Sequence, residues 1–302
     1  MSTFQPMLAA ALMPPNIPHT DTNIIEAMSR LSYPVLVSTK YDGVRAIKWK
    51  DKLISRSLKL IPNKVIQELS KNIPEYFDME ITIEGKRFND ISGLVRNADA
   101  DITPVFNILD IVDQDLNYEH RLDFISARLQ DTYITGVKYI PPVSANSPAE
   151  LFDTFYWSEQ NGQEGICFRL SNSPYKYGRS TLREQYLVKL SRYLTSEAIV
   201  IGYEEQMENS NPALRDERGY TKHVSDMNGL VPKNTLGALI VEDIKSNVTF
   251  RIGTGFDDKS RRFIWCNRLG YLGKQLTYKF KQCGMLNKPR HPTFVGWREK
   301  GM

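Results

Sequence analysis

The chain has 302 residues, of which 41% are hydrophobic and 25% charged, so it is an ordinary globular composition with room for two domains. Such a composition excludes a disordered or fibrous chain, and the apolar run Met7 to Met13 is far short of the ~20 residues a spanning helix needs. Net charge is only +4, yet its placement is uneven: 1–192 balances to −1, 193–244 to −5 and 245–302 to +10. The basic C-terminal stretch is interleaved with Trp265, Tyr271, Tyr278, Phe280 and Trp297, a pattern that reads either as a polyanion-facing surface or as a solvated face.

Residues 1–25 are Pro-rich and irregular, and no basic residue precedes the Met7 run, so no signal peptide is predicted. A helix is predicted over about 22–31 and a strand over 34–40, ending in Tyr41-Asp42-Gly43. A strand resumes over 44–49, so this pair reads as a hairpin or a sharp strand junction. Further strands are predicted near 53–56, 77–83, 104–112, 165–170 and 185–190, with helical periodicity at 62–71, 118–131 and 147–161. Mixed elements without strict alternation predict an α+β domain with largely antiparallel sheets over residues 1–192. From 193 to 302 short strands dominate (197–203, 237–243, 247–252, 292–297) around one helix at about 257–269, the pattern of an OB-type barrel. The polar stretch 204–235 reads as a long mobile loop. The three cysteines (Cys167, Cys266, Cys283) form no C-x-x-C pair and the four histidines are scattered. Neither a disulfide framework nor a zinc site is indicated, and a reduced, cytoplasmic setting is expected.

The candidate chemistry begins at Lys40-Tyr41-Asp42-Gly43-Val44-Arg45. Taken alone, that string is a strand ending in a turn. Downstream stand Phe77-Asp78-Met79-Glu80, Val105-Phe106-Asn107-Ile108-Leu109-Asp110, Glu164-Gly165-Ile166-Cys167-Phe168-Arg169, Leu187-Val188-Lys189, and Pro289 to Arg298. In this order and spacing, over roughly Val35 to Arg298, they resemble the covalent nucleotidyltransferases, and within them the ATP-dependent DNA ligases of small phage type. The runs Thr235 to Asp243 and Ile252 to Phe256 are similar to that branch as well.

The resemblance implies an adenylation domain followed by an OB-fold β-barrel domain. It makes Lys40 the adenylated nucleophile, with Asp42 in the same motif, and has Arg45 and Glu80 hold the ribose of ATP. Phe106 is implied to stack on adenine, though spacing alone makes it a core residue. Glu164 is implied to place a divalent metal, Mg²⁺ or Mn²⁺, although Glu-Gly at a strand start is otherwise an exposed turn. Arg169 and Lys189 would contact phosphate, and Arg56 would read the 5′-phosphate of the nick. Arg290 and Arg298 match the string that orients pyrophosphate during the first step.

A lysine amine attacks only when neutral, so its pKa must fall. Arg45, Lys189 and a bound cation are the expected cause. The pattern departs at two places: Ser191 stands where a second lysine is usual, beside Arg192, and Asn107 where an aspartate is common. The implied substrate is nicked duplex DNA, handled by a monomer in the cytoplasm, the host's if the chain is viral, without a membrane. An RNA ligase or capping guanylyltransferase shares the lysine-centred core. A non-catalytic OB-fold binding protein would explain 245–302 but leave Lys40, Glu80, Glu164 and Lys189 without purpose.

Overall fold

The computed structural model describes residues 4–14, 17–130, 134–217, 221–224, 226–281, 285 and 287–298. Cys283 and Asp131, the last residue of the predicted 118–131 helix, lie outside the described residues. The chain forms two compact units, Met1–Ser191 and Arg192–Met302.

The first unit runs β1 (Ala10–Ala11), α1 (Asp21–Ser29), β2 (Val35–Thr39), β3 (Val44–Trp49), β4 (Lys52–Ser55), α2 (Lys64–Leu69), β5 (Phe77–Ile83) and α3 (Phe88–Arg96). It continues with β6 (Pro104–Ile111), α4 (Tyr118–Gln130), β7 (Val137–Lys138), β8 (Val143–Ala145), α5 (Pro148–Gln160), β9 (Ile166–Leu170) and β10 (Val188–Leu190). The helices start where side chains satisfy orphan N–H groups: Thr20 accepts from the Asn23 amide, Asn63 from Ile66 and Ser147 from Glu150. Pro148 at the first turn of α5 gives up an N–H that has no helical partner in any case.

The strands form two five-stranded sheets, β1-β10-β9-β2-β8 and β4-β3-β5-β6-β7. Their pairings are antiparallel, apart from β1 with β10 and β6 with β7. One face of the first sheet packs Val35, Val37, Ile166, Phe168, Val188 and Leu190 against α1 and α5. One face of the second packs Ala46, Met79, Ile81, Phe106 and Ile108 under α2, α3 and α4. A further cluster joins Met7, Ile47, Ile54, Tyr175 and Leu187 with Cys167 of β9, so the two remaining faces look toward each other. Since strand side chains alternate, the residues between these apolar positions all point into the space between the sheets.

That arrangement corrects the reading of 34–49 as a hairpin. Strand β2 pairs with β8 and β9, whereas β3 pairs with β4 and β5. Lys40 to Gly43 is the sharp crossing from one sheet to the other, the second of the two forms expected.

The second unit contains β11 (Leu194–Asn209), β12 (Ala213–Arg215), β13 (Thr221–His223), β14 (Leu230–Asp243), β15 (Thr249–Ile252), α6 (Asp258–Cys266), β16 (Gln275–Lys281) and β17 (Arg290–Trp297). Five strands make one antiparallel sheet, β15-β14-β11-β16-β17. It curls around Val200, Leu239, Val241, Phe250, Ile252, Leu276 and Tyr278, with Ile264 of α6 added to the core. Among the described residues, the edges meet at one bridge, Thr254 with Thr293, so this is a sheet with touching edges and not a barrel closed by a full ladder. The stretch 204–235 is not the loop expected. Strands β11 and β14 extend into it from its two ends, over 204–209 and 230–235, as a two-stranded ribbon, and β12 and β13 pair between them.

Candidate active site

The inward-facing positions of the first unit hold most of the residues singled out in the sequence. In β9 and β10, Cys167 pairs with Lys189, and Cys167 also pairs with Ser38 of β2. Lys40 lies two residues past Ser38, beyond the strand end. On the opposing sheet Arg45, Glu80 and Asn107 sit side by side across β3, β5 and β6.

Two motif glycines set the approach of these segments. A Cβ on Gly43 would lie 2.2 Å from the carbonyl oxygen of Ile81, and one on Gly165 would lie 2.1 Å from that of Leu190. Gly165 also has φ +142°, a backbone region that favours glycine. Its carbonyl accepts from the Lys40 amide at 2.9 Å and from the Ser158 hydroxyl at 3.0 Å. The close approach therefore brings the end of β2 beside the start of β9, which places Glu164 against Lys40.

The Lys40 ammonium donates to a Glu164 carboxylate oxygen, with side-chain exposures of 18% and 6%. Burial works to lower the Lys40 pKa, but Glu164, Cys167 and Glu80 together outweigh it and the net shift is upward. This corrects the expectation of a lysine depressed by neighbouring cations. The charges facing Lys40 are carboxylates, and the resting form is a held ammonium.

Arg45 is committed to the sheet that carries it. Its Nε donates to Asp78 Oδ1 at 2.8 Å, its Nη2 to Asp78 Oδ2 at 2.5 Å and its Nη1 to the Met7 carbonyl at 2.5 Å. The Tyr175 hydroxyl donates to Asp78 Oδ2 at 2.7 Å and accepts the Met7 amide at 3.3 Å. Asp78, Tyr175 and the Met7 backbone thus fix the guanidinium plane, a set the sequence reading missed. The available signal was period two: Asp78 precedes Glu80 by two residues and shares its face.

Burial, first, pushes the Glu80 carboxyl up to about 7, against the pull of Arg45 and Lys40. A folded pKa above the unfolded one means that stability is fully present at low pH and is lost as pH rises from about 4.5 through 7. Glu80→Gln is therefore expected to match the parent at pH 4 and exceed it by about 2 kcal/mol at pH 8, after discounting for solvent screening. Thermal melts of both proteins across that range read the difference, and a gap independent of pH would refute it.

Two predicted residues are placed differently from their expected roles. Phe106 is fully buried among Met79, Ile81 and Ile108 on the helix-facing side of its sheet. Its neighbour Asn107 faces inward instead, donating to the Glu80 carbonyl at 3.1 Å and to the Thr82 hydroxyl at 2.8 Å. Adenine stacking by Phe106 is thus not what this arrangement offers, because strand parity assigns it to the core. Arg169 faces inward but is held by Asp110 Oδ2 at 2.5 Å and lies 4.0 Å over the Tyr118 ring. Asp110 is shared with Arg121, whose Nε donates to Oδ1 at 2.7 Å. Burial works against the Asp110 charge, but the two guanidiniums prevail and its pKa is lowered.

Of the remaining candidates, Asp42 is half-buried in the crossing after Lys40, and Arg56 is exposed in the tight turn that follows β4. Ser191, at the place of a second lysine, is buried, and its carbonyl lies 3.1 Å from His19 Nδ1. In the second unit Arg290 opens β17, and Arg298 follows it, paired with Glu197. Among the described residues no group of three or more His, Cys, Asp or Glu side chains is arranged to hold a metal ion. Among the described residues no helix is long and apolar enough to cross a membrane.

Residues 231–298 match the family described as the DNA ligase OB-like domain. A DNA ligase of Haemophilus influenzae is 25% identical over 270 residues, 88% of this chain and 86% of that protein. The solved Chlorella virus DNA ligase-adenylate is 29% identical, with 99% of each chain covered and a TM-score of 0.54. Over most of its length the chain is similar to DNA ligases. A Lig E DNA ligase structure, 22% identical with a TM-score of 0.72 and coverage of 98% and 100%, shares the ligase fold. The fold is α+β and fits a nucleotidyltransferase unit followed by an OB-like one.

Proposed function

We propose that the protein is an ATP-dependent DNA ligase that seals nicks in duplex DNA through an adenylate on Lys40. The observation that carries this reading is the meeting of Lys40 with Glu164, Glu80, Arg45 and Lys189 on the inward faces of two apposed sheets. Phosphoryl transfer asks a protein for positioning and charge neutralisation, which such a set of fixed cations and carboxylates supplies.

In the first step Lys40 Nζ, once its proton is lost, attacks the α-phosphorus of ATP. The bond from that phosphorus to the bridging oxygen breaks and pyrophosphate leaves. In the second, an oxygen of the 5′-phosphate at the nick attacks the same phosphorus, and the nitrogen–phosphorus bond breaks. In the third, the 3′-hydroxyl attacks the 5′-phosphate and AMP departs. Arg45 and Glu80 hold the ribose, Lys189 contacts phosphate, and Arg56 in its exposed turn reads the 5′-phosphate. Arg169, braced by Asp110, contributes positive charge next to the site.

The carboxylates of Glu164 and Glu80 are hard oxygen donors that suit Mg²⁺, which commonly uses one or two protein carboxylates plus phosphate and water. When bound, such a cation supplies positive charge against the phosphates. Residues 1–192 serve as the adenylation domain and 193–302 as the OB domain, with the ribbon at 204–235 completing the grip on DNA. The basic 245–302 region gives binding that is sensitive to salt and indifferent to sequence. The protein works as a monomer in the cytoplasm.

The test is incubation of the purified chain with α-labelled ATP or GTP and Mg²⁺, followed by nicked DNA or RNA duplexes. Label from ATP alone, with sealing of the DNA nick, is the expected result. Label from GTP would make it a capping-type enzyme, and tight DNA binding without any label would leave only a binding module.

A further inference from the structure

Tyr175 follows β9 and is 1% exposed, its ring packed with Met7, Ile47 and Leu187. Burial first, and then the Asp78 charge, push the phenol far above its ordinary pKa, so the hydroxyl keeps its proton. That proton goes to Asp78 Oδ2, and the phenol oxygen takes the Met7 amide. The neighbouring anion, Asp110, stands opposite Asp78 on β6 and is held by Arg121 and Arg169. Among the described residues, the Asp78 carboxylate accepts from the side chains of Arg45 and Tyr175 alone.

A carboxylate paired only with an arginine makes a planar fork that keeps one freedom, since both planes can tilt together on the chains that carry them. The Tyr175 hydroxyl meets Oδ2 from a segment 97 residues away in sequence and removes that freedom. It also fixes the Met7 backbone, whose carbonyl accepts from Arg45 Nη1. One phenol oxygen thus steadies both acceptors that grip Arg45. A guanidinium carries five N–H donors. Nε, Nη1 and Nη2 each spend one here, so among the described residues one donor remains on each terminal nitrogen. The Arg45 side chain is 17% exposed where Asp78 is fully buried, so those donors can still be reached. Glu80 lies beside Arg45 on β5 and faces the same side. Donors and a carboxylate held in fixed relation suit a pair of vicinal hydroxyls.

We infer that Tyr175 is the positioning residue for Arg45 and, through it, sets the preference of the site for ribose over deoxyribose. The inference rests on the reading in which Arg45 and Glu80 hold the ribose of ATP. Packing alone does not call for the hydroxyl, because a phenylalanine ring would fill the same space among Met7, Ile47 and Leu187. Hydrogen bonds weaken steeply once they bend, so a small tilt of the guanidinium is felt first at the sugar hydroxyls.

The test uses the full chain with Tyr175→Phe and compares ATP with its 2′-deoxy and 3′-deoxy analogues in self-adenylation. The parent is expected to need about tenfold more of a deoxy analogue than of ATP for half-maximal labelling, the worth of one charge-assisted hydrogen bond. In Tyr175→Phe the ATP requirement should rise toward that of the analogue, with the maximal rate and the analogue's own requirement close to the parent's. A merely structural role would weaken all three nucleotides alike, and that result overturns the inference. Arg45→Lys should erase the same preference, and adding Tyr175→Phe to it should change nothing further, since no guanidinium is then left to place. A further loss in that background also overturns the inference. Calorimetric titration of the three nucleotides, done below the melting temperature of each variant, reads the preference even in protein that does not adenylate. A parent that binds all three alike sinks the ribose role of Arg45, and this inference with it. A parent that discriminates beside a Tyr175→Phe variant that discriminates equally overturns the role of Tyr175 alone.

Discussion

Replacing Lys40 by arginine is expected to abolish self-adenylation and nick sealing, by ~10⁴-fold or more, while leaving the fold intact. The two halves of that expectation come from different properties of one side chain. As a cation, Lys40 answers Glu164, and a guanidinium keeps that charge pairing. As a nucleophile it needs a lone pair, which a guanidinium does not give up at any working pH. Lys40→Ala should lose the chemistry equally but also leave Glu164, 6% exposed, without its partner. The arginine variant is thus expected to melt within a few degrees of the parent, and the alanine variant lower. Gel transfer of label from ATP reads the chemistry and thermal melting reads the fold. Retained labelling in Lys40→Arg would move the nucleophile to another residue.

The same lysine shows what was legible in the sequence. Its strand, its glycine and the crossing after it follow from a six-residue string, because a chain crossing between sheets needs close backbone approach at Gly43. Its electrostatics were not legible, since Glu164 arrives from 124 residues away and converts an expected cationic surround into an anionic one. Phe106 was misread for a simpler reason. Phe106 pairs with Ile81, and Phe77, Met79 and Ile81 alternate on β5, so parity already placed it in the core. Helix α3 was missed because Gly93 and two polar residues in its first turn weaken the pattern, although Ile91 and Val95 recur at helical spacing. Strand β16 was overlooked despite clear alternation at Leu276, Tyr278 and Phe280. The outer ribbon of β11 and β14 is exposed on both faces, so no alternation exists there to be read.

Asp110→Asn is expected to be the most damaging substitution for stability, at about 3–5 kcal/mol, although it changes neither size nor shape. Asp110 is the shared anion of Arg121 and Arg169, with exposures of 1%, 0% and 5%. Arg121 also donates to the carbonyls of Leu116 and Ser173, at 2.7 and 3.1 Å, so it cannot turn out to solvent without breaking the start of α4. Removing the anion leaves two guanidiniums buried against neutral groups, and the Tyr118 and Tyr175 rings recover only part of that cost. In a unit of this size the expected fall in melting temperature is about 10 °C. The pH dependence gives an independent check. Because the folded pKa of Asp110 lies below the ordinary carboxylate value, its contribution is fully present above the unfolded pKa and is lost as pH falls through the folded one. The gap between parent and variant should therefore be constant from pH 5 upward and close toward acid. A triple variant that also replaces both arginines by methionine should recover much of the loss, since no charge is then left unpaired. If the single substitution costs under 1 kcal/mol, the arginines are neutralised by something other than Asp110, and the brace assigned to Arg169 fails with it.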